Sequence, residues 1–372
     1  MPLYYIMNIA NIDDKTAITS MIYLSILILC ISLGVFAYYY TLQKRLCNNM
    51  DALYGDLNGK IRSVDYNLEE YNHRLKDYYI KSAYNCCSGG NYSNTYVDTC
   101  ILKDLIKQGV RGFDFEIFSI NDEPVVSTST DDDNYHNKET FNYVPFSDVI
   151  KIVDEYAFNN SSCPNPTDPV IFHFRIKSNN NSMYKNFAKI LEKYAEKRLL
   201  DKSYSYECQG TNFGNTSLNE LKNKISIIVD KNNSSYMDTQ EFYEYVNMTS
   251  NSVFMRALHY YDIKYTPDMN ELIEANKLGM TIGMPDKGNN PENPSSIVMR
   301  EMGCQMLAMR YQLFDEFIQE NNMFFDIKGF AFVLKPERLR EKIIELPAPP
   351  PQNPELSYAT KSISSDFYNF EI

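Results

Sequence analysis

The chain has 372 residues, 44% hydrophobic and 23% charged, with a formal net charge of -12. That composition describes a globular protein of one large domain or two ordinary ones. Lys and Arg are scattered, with no basic stripe to neutralise phosphates, which argues against a nucleic-acid binder. Tyr is abundant (30) and Trp absent, a bias that reads as AT-rich coding in a viral or protist genome.

A short tail, 1–15, carries Asp13 and Asp14. From Ala17 to Tyr40 there is no charge: AITSMIYLSILILCISLGVFAYYY. A bilayer core needs about 20 apolar residues in a helix, so 16–40 is predicted to be a transmembrane helix. Tyr38, Tyr39 and Tyr40 sit where an aromatic belt belongs. A cleaved signal peptide would have a shorter apolar core and a basic start. Lys44 and Arg45 follow the span, so the positive-inside rule places the rest of the protein in the cytosol. Against that placement stand N-x-S/T sequons at Asn91, Asn159, Asn160, Asn180, Asn215, Asn232, Asn233 and Asn247. The eight cysteines form no CxxC pair, which argues against zinc; mostly free, buried thiols are expected.

After the span, apolar residues recur at Leu46, Met50, Leu53, Leu57, Ile61, Val64, Leu68, Tyr71, Leu75 and Tyr78, in steps of three and four. That is a heptad seam with a stutter, so 41–78 reads as a helical stalk. Either it makes a homo-oligomer through 46–78, or a lone helix packs its stripe on the next domain. At 1.5 Å per residue such a stalk would hold the domain about 50 Å from the bilayer.

From residue 79 the pattern changes to short apolar strands alternating with amphipathic helices. Strands are predicted over 79–84, 112–118, 170–176, 225–229, 253–257, 280–283, 305–309 and 329–334. Helices are predicted over 101–108, 146–156, 183–198, 268–278 and 314–322. Strand–helix alternation on this scale predicts an α/β fold with parallel strands, and about eight units suggest a closed TIM barrel. The tail, 346–372, opens LPAPPPQNP, a polyproline-prone stretch expected to be a flexible terminus.

Two stretches resemble the catalytic barrel of eukaryotic phosphoinositide-specific phospholipase C. Residues 82–126, SAYNCCSGGNYSNTYVDTCILKDLIKQGVRGFDFEIFSINDEPVV, are similar to the opening X half, where S-x-H-N-T-Y precedes E-L-D and G-x-P-V-V. Residues 303–340, GCQMLAMRYQLFDEFIQENNMFFDIKGFAFVLKPERLR, are similar to the end of the Y half. The resemblance implies a phospholipase C-like TIM barrel over 79–345, with an X-like half at 79–230 and a Y-like half at 250–345.

The family's chemistry uses two histidines and a calcium ion held by an Asn and three carboxylates. Here Tyr84 and Thr128 stand at the histidine positions, and neither side chain is a proton shuttle at neutral pH. His136 is the one substitute in sight. Asn85 keeps the Asn position, and Asp114 and Glu116 keep two carboxylates. Arg175 stands where the last carboxylate should be. The resemblance therefore implies that Arg175 takes the place of the ion and pairs with Asp114, Glu116 or both. Ile228 and Asp230 fall near the family's phosphate-binding lysines.

The sequence thus predicts a membrane-anchored, catalytically inactive phospholipase C-like protein. It would be a binding, scaffolding or structural module, with a phospholipid headgroup or a protein as partner and no cofactor. The alternative is an active phosphoric diester hydrolase of lipid metabolism, with calcium on Asn85, Asp114 and Glu116.

Overall fold

The computed structural model describes residues 14–131, 137–205, 210–342 and 358–372. They fall into two units, Met1–Arg340 and Glu341–Ile372.

The first unit opens with helix α1, Asp14–Tyr54. Its apolar part is fully exposed and is long and apolar enough to cross a membrane. The helix stops at Tyr54 and does not run to residue 78 as the heptad spacing suggested. Gly55 is one reason: a Cβ there would lie 2.4 Å from the Asp51 carbonyl. Beyond it the chain is irregular, apart from single 3-10 turns at Glu69–Tyr71 and Leu75–Asp77. Met50, Tyr54, Ile61, Val64, Tyr71, Leu75 and Tyr78 are buried in the unit's own core. These apolar residues of the predicted seam are therefore covered within the chain, and no free helical stalk remains.

The barrel follows. Its strands are β1 (Tyr78–Ala83), β2 (Gly112–Ile120), β5 (Val170–Ile176), β6 (Ile225–Asp230), β7 (Met248–Ser250), β8 (Met255–His259), β9 (Met280–Met284) and β10 (Met306–Met309). They are hydrogen-bonded in the order β7-β6-β5-β2-β1-β10-β9-β8, all parallel. Among the described residues no ladder joins β7 to β8, so this is a nearly closed TIM-type barrel. Two further strands, β3 (Glu123–Ser127) and β4 (Val144–Pro145), extend β2 as antiparallel neighbours. The stretch expected as the eighth barrel strand, β11 (Phe332–Leu334), instead pairs antiparallel with β1. Three-residue β7 fills that place, too short to carry a periodic signal.

Side chains alternate across each strand. Phe113, Phe115 and Ile117 of β2, and Phe172, Phe174 and Ile176 of β5, pack outward against the helices. These include α2 (Thr99–Lys107), α3 (Phe146–Tyr156) and α4 (Asn181–Ala195). Each buries one apolar stripe, as with Phe146, Val149, Ile150 and Val153 of α3. Ile80, Ile171, Ile228, Ile282, Met306 and Ala308 face a second core inside the barrel. Residues 61–78 cross the barrel's base, where Val64 N–H donates to Asp168 Oδ1 (2.9 Å) and Arg62 N–H to the Gly329 carbonyl (3.0 Å).

Cys47 and Cys100 form a disulfide between α1 and α2, contrary to the expectation of mostly free thiols for that pair. Cys86, Cys87, Cys163 and Cys304 are free and buried; Cys208 lies outside the described residues. The second unit holds a small antiparallel hairpin, β12 (Ser362–Ser364) with β13 (Asn369–Glu371), where the whole tail was expected to be flexible. LPAPPPQNP lies outside the described residues.

Candidate functional site

The mouth of the barrel lies at the C-terminal ends of its strands, the usual place for a site in this architecture. Strand register assembles the charged groups there. Asp114 lies beside His173, and Glu116 beside Arg175, on neighbouring strands β2 and β5. Alternation turns all four inward. Asn85 follows β1 with φ 48°, a left-handed conformation that Asn tolerates better than most residues. That turn aims its backbone N–H at Asp114 Oδ2 (3.2 Å) and its side-chain amide at Glu116 Oε1 (3.3 Å).

Arg175 sits at the centre. Nε donates to Asp114 Oδ1 (3.1 Å), Nη2 to Asp114 Oδ2 (2.8 Å) and Asn85 Oδ1 (2.9 Å), and Nη1 to Glu116 Oε1 (3.0 Å). Its side chain is 2% exposed, and those of Asp114 and Glu116 are 0% and 1% exposed. The pairing anticipated from sequence is present with both carboxylates at once. Burial pushes the Asp114 carboxyl up, but Arg175 and then His173 outweigh it and hold the group at about 2. Bidentate geometry of this kind gives Arg charge-assisted bonds that Lys could not match.

Tyr84 and Thr128, at the expected histidine positions, do different work. The Arg175 guanidinium lies over the Tyr84 ring, 4.4 Å from its centroid. Tyr84 meets Tyr92 edge-on at 5.6 Å, and the Arg310 guanidinium lies 4.8 Å from the Tyr92 centroid. Two cations thus bracket two edge-on phenols across the mouth, each cation–ring contact of a kind worth roughly 0.5–2 kcal/mol. Thr128 Oγ1 donates to the Tyr92 carbonyl (2.7 Å) and is buried. Ser129 Oγ donates to Glu116 Oε2 (2.6 Å).

His173 was not anticipated from sequence. Its Nδ1 meets Asp114 Oδ1 at 2.7 Å and its Nε2 meets Ser250 Oγ at 2.9 Å, with all three residues buried. The signal was its spacing: His173 and Arg175 are two apart on one strand, so whatever turns one inward turns both. His136 lies outside the described residues. His73 is at the base beside Arg340, and His259 faces the Pro285 carbonyl. Ile228 is buried in the inner core, and Asp230 accepts from Asn232 N–H (3.0 Å) and Asn251 Nδ2 (2.8 Å).

Residues 71–232, which carry Tyr84, Asn85, Asp114, Glu116, Thr128, His173 and Arg175, match the model of the phosphatidylinositol-specific phospholipase C X domain. This is a phospholipase C-like barrel. Its fold is similar to the crystal structure of PLC21 from S. officinalis (TM-score 0.58, 20% identity) and of PLC21 from L. pealei (TM-score 0.58, 19% identity). Each likeness covers 73% of this chain and 38% of the other, so the chain spans well under half the length of those structures. No curated protein matches its sequence.

Proposed function

We propose that this phospholipase C-like protein is anchored in a membrane by α1 and serves there as a binding or scaffolding module, without hydrolysing phosphodiesters. The observation that carries the reading is the place of Arg175. A calcium ion takes six to eight oxygen ligands, several of them carboxylate. The oxygens of Asn85, Asp114 and Glu116 already receive the guanidinium, and a cation beside it would be repelled. These residues therefore do not fit calcium, and the reading includes no cofactor. Tyr84 and Thr128 supply no group with a pKa near neutrality. Loss of general acid–base catalysis removes typically 10²–10⁴-fold for each role. The partner on this reading is a phospholipid headgroup or a protein at the bilayer.

One observation favours an active phosphodiesterase with a rearranged site. Asp114, His173 and Ser250 form a hydrogen-bonded chain. Each of the three is 0% exposed, which leaves a substrate no approach to His173. On the favoured reading His173 braces Asp114.

The test uses the full chain in phospholipid vesicles holding phosphatidylinositol or its bisphosphate, with calcium or magnesium. No release of water-soluble inositol phosphate above protein-free vesicles is expected. Turnover that disappears in Asp114→Ala would refute the inactive reading and support the rival.

A further inference from the structure

The direction of α1 along the barrel fixes which end of the domain meets the membrane. Helix α2 starts at the mouth, after the loop leaving β1, and runs toward the base. Helix α1 lies beside it and runs the same way. Gln43 Nε2 donates to Asp98 Oδ2 (2.6 Å) at the start of α2, and Cys47 is bonded to Cys100. Lower down, Lys107 Nζ lies 3.7 Å from Asp51 Oδ1, and Gln108 Nε2 donates to the Tyr54 carbonyl (3.2 Å). The apolar half of α1 therefore leaves the barrel at its mouth. Residues 35–54 contain no Gly or Pro, so nothing in this stretch hinges the helix.

The apolar run ends at Tyr40, three residues before Gln43, or about 4.5 Å of helix. The tyrosine belt thus lies level with the mouth loops. Tyr39 meets Phe141 edge-on with ring centroids 5.2 Å apart, and Phe141 is 45% and Tyr143 41% exposed. Aromatic rings at this level suit the headgroup interface.

We propose that α1 and its disulfide to α2 hold the mouth of the barrel against the bilayer, with Phe141 and Tyr143 in the headgroup interface. The proposal rests on the membrane-anchored reading above. It replaces the 50 Å separation expected from a stalk with direct apposition, and it restricts what reaches the mouth to groups on the lipid surface.

The chain has no Trp, so single tryptophans report their own depth. The full chain carrying Phe141→Trp, Tyr143→Trp or Leu278→Trp is reconstituted in phosphatidylcholine vesicles brominated near the headgroup end of the acyl chains. Leu278 is 58% exposed at the base, where it ends the helix Met269–Leu278 just before β9 and its carbonyl accepts from Lys76 Nζ (3.1 Å). Phe141→Trp and Tyr143→Trp should lose most of their emission, and Leu278→Trp should keep it. Equal emission from all three, in protein that resists alkaline extraction from the vesicles, would overturn the orientation while leaving the anchor intact. Extraction by alkali would overturn the anchor itself.

A different observation bears on the compartment. Disulfides persist on oxidising sides of membranes, and the barrel's described free thiols are all buried. Of the sequon asparagines, Asn180 caps α4, while Asn233 and Asn247 are buried and hydrogen-bonded. Asn91, Asn159, Asn160, Asn215 and Asn232 are exposed. Asn91 and Asn232 follow β1 and β6 at the mouth, against the bilayer, whereas Asn159, Asn160 and Asn215 lie after α3 and before β6, at the end of the barrel away from the mouth. We infer that the barrel faces the lumenal or extracellular side, opposite to the placement drawn from Lys44 and Arg45, and that Asn159 or Asn160, and Asn215, are N-glycosylated. In that step the Asn Nδ2 displaces the diphosphate of a lipid-linked oligosaccharide and gives up one proton. The full chain expressed in eukaryotic cells should fall in apparent mass on N-glycosidase treatment. The combined Asn159→Gln, Asn160→Gln and Asn215→Gln variant should remove that shift. No shift in the parent chain, or Cys47 and Cys100 thiols that react with maleimide without prior reduction, would overturn the assignment.

Discussion

Arg175→Met removes the cation and keeps much of the volume. Two carboxylates with exposures of 0% and 1% then lose the Arg175 guanidinium, and four charge-assisted or polar bonds of 2.8–3.1 Å disappear. Breaking a buried ion pair by deleting one partner costs about 3–5 kcal/mol, because the other charge stays buried. At roughly 2–4 °C per kcal/mol for a domain of this class, the melting temperature should fall by roughly 6–20 °C. The pH dependence has a definite sign. In the parent chain Asp114 titrates at about 2 instead of 3.8, so its contribution is present above pH 4 and is lost as pH falls toward 2. In Arg175→Met, burial is the largest remaining influence and raises that carboxyl. The variant should therefore be worst at pH 7.5 and should close part of the gap at pH 5. Thermal unfolding of the full chain in detergent micelles at the two pH values measures this. Adding Asp114→Asn and Glu116→Gln should recover most of the loss, since no bare charge then remains. A melting point unchanged by Arg175→Met at pH 7.5, or a gap that widens in acid, would refute the reasoning.

Calcium should leave the parent chain's melting point unmoved, whereas Arg175→Glu should become calcium-dependent. Its stabilisation should reach about 2.7 kcal/mol at a concentration one hundred times the dissociation constant, and a thermal scan with calcium against chelator decides it. Burial lowers Lys335 to about 7 and Lys81 to about 8, while both keep their protons in the unfolded chain. Stability should consequently rise between pH 7 and 8.5, and Lys335→Met should flatten urea-derived stability by up to about 1.4 kcal/mol per pH unit. Cys47→Ser opens a link between residues 53 apart and should cost about 4 kcal/mol by the chain-entropy relation. A loss below about 1 kcal/mol would mean that the contacts between α1 and α2 suffice by themselves.

Much of the barrel was legible because its signals are local. Period-2 alternation in GFDFEIF and VIFHFRI reports strands with one chemical face, and the stripe of α3 reports its core side. The Arg175 pairing was legible for a related reason: motif order placed Asp114, Glu116 and Arg175 on strands whose alternation turns them the same way. His173 was passed over because a lone histidine in an apolar run carries no mark of its partners. Those partners, Asp114 and Ser250, are set by a register that spans 59 and 77 residues.

The run of apolar residues from Leu46 to Tyr78 shows where sequence ran out. The same three- and four-residue spacing serves a coiled coil and a segment that wraps its own domain. Local pattern reports how often an apolar group recurs and not what will cover it. The sequence by itself determined an apolar span, an α/β barrel and an arginine among carboxylates. Only the tertiary structure decided that the chain leaves its helix at Tyr54 and crosses the barrel's base, that Cys47 meets Cys100, and that Tyr84 stacks on Arg175. Each of those depends on which distant surface is near enough to exclude water, a quantity fixed by the folded whole.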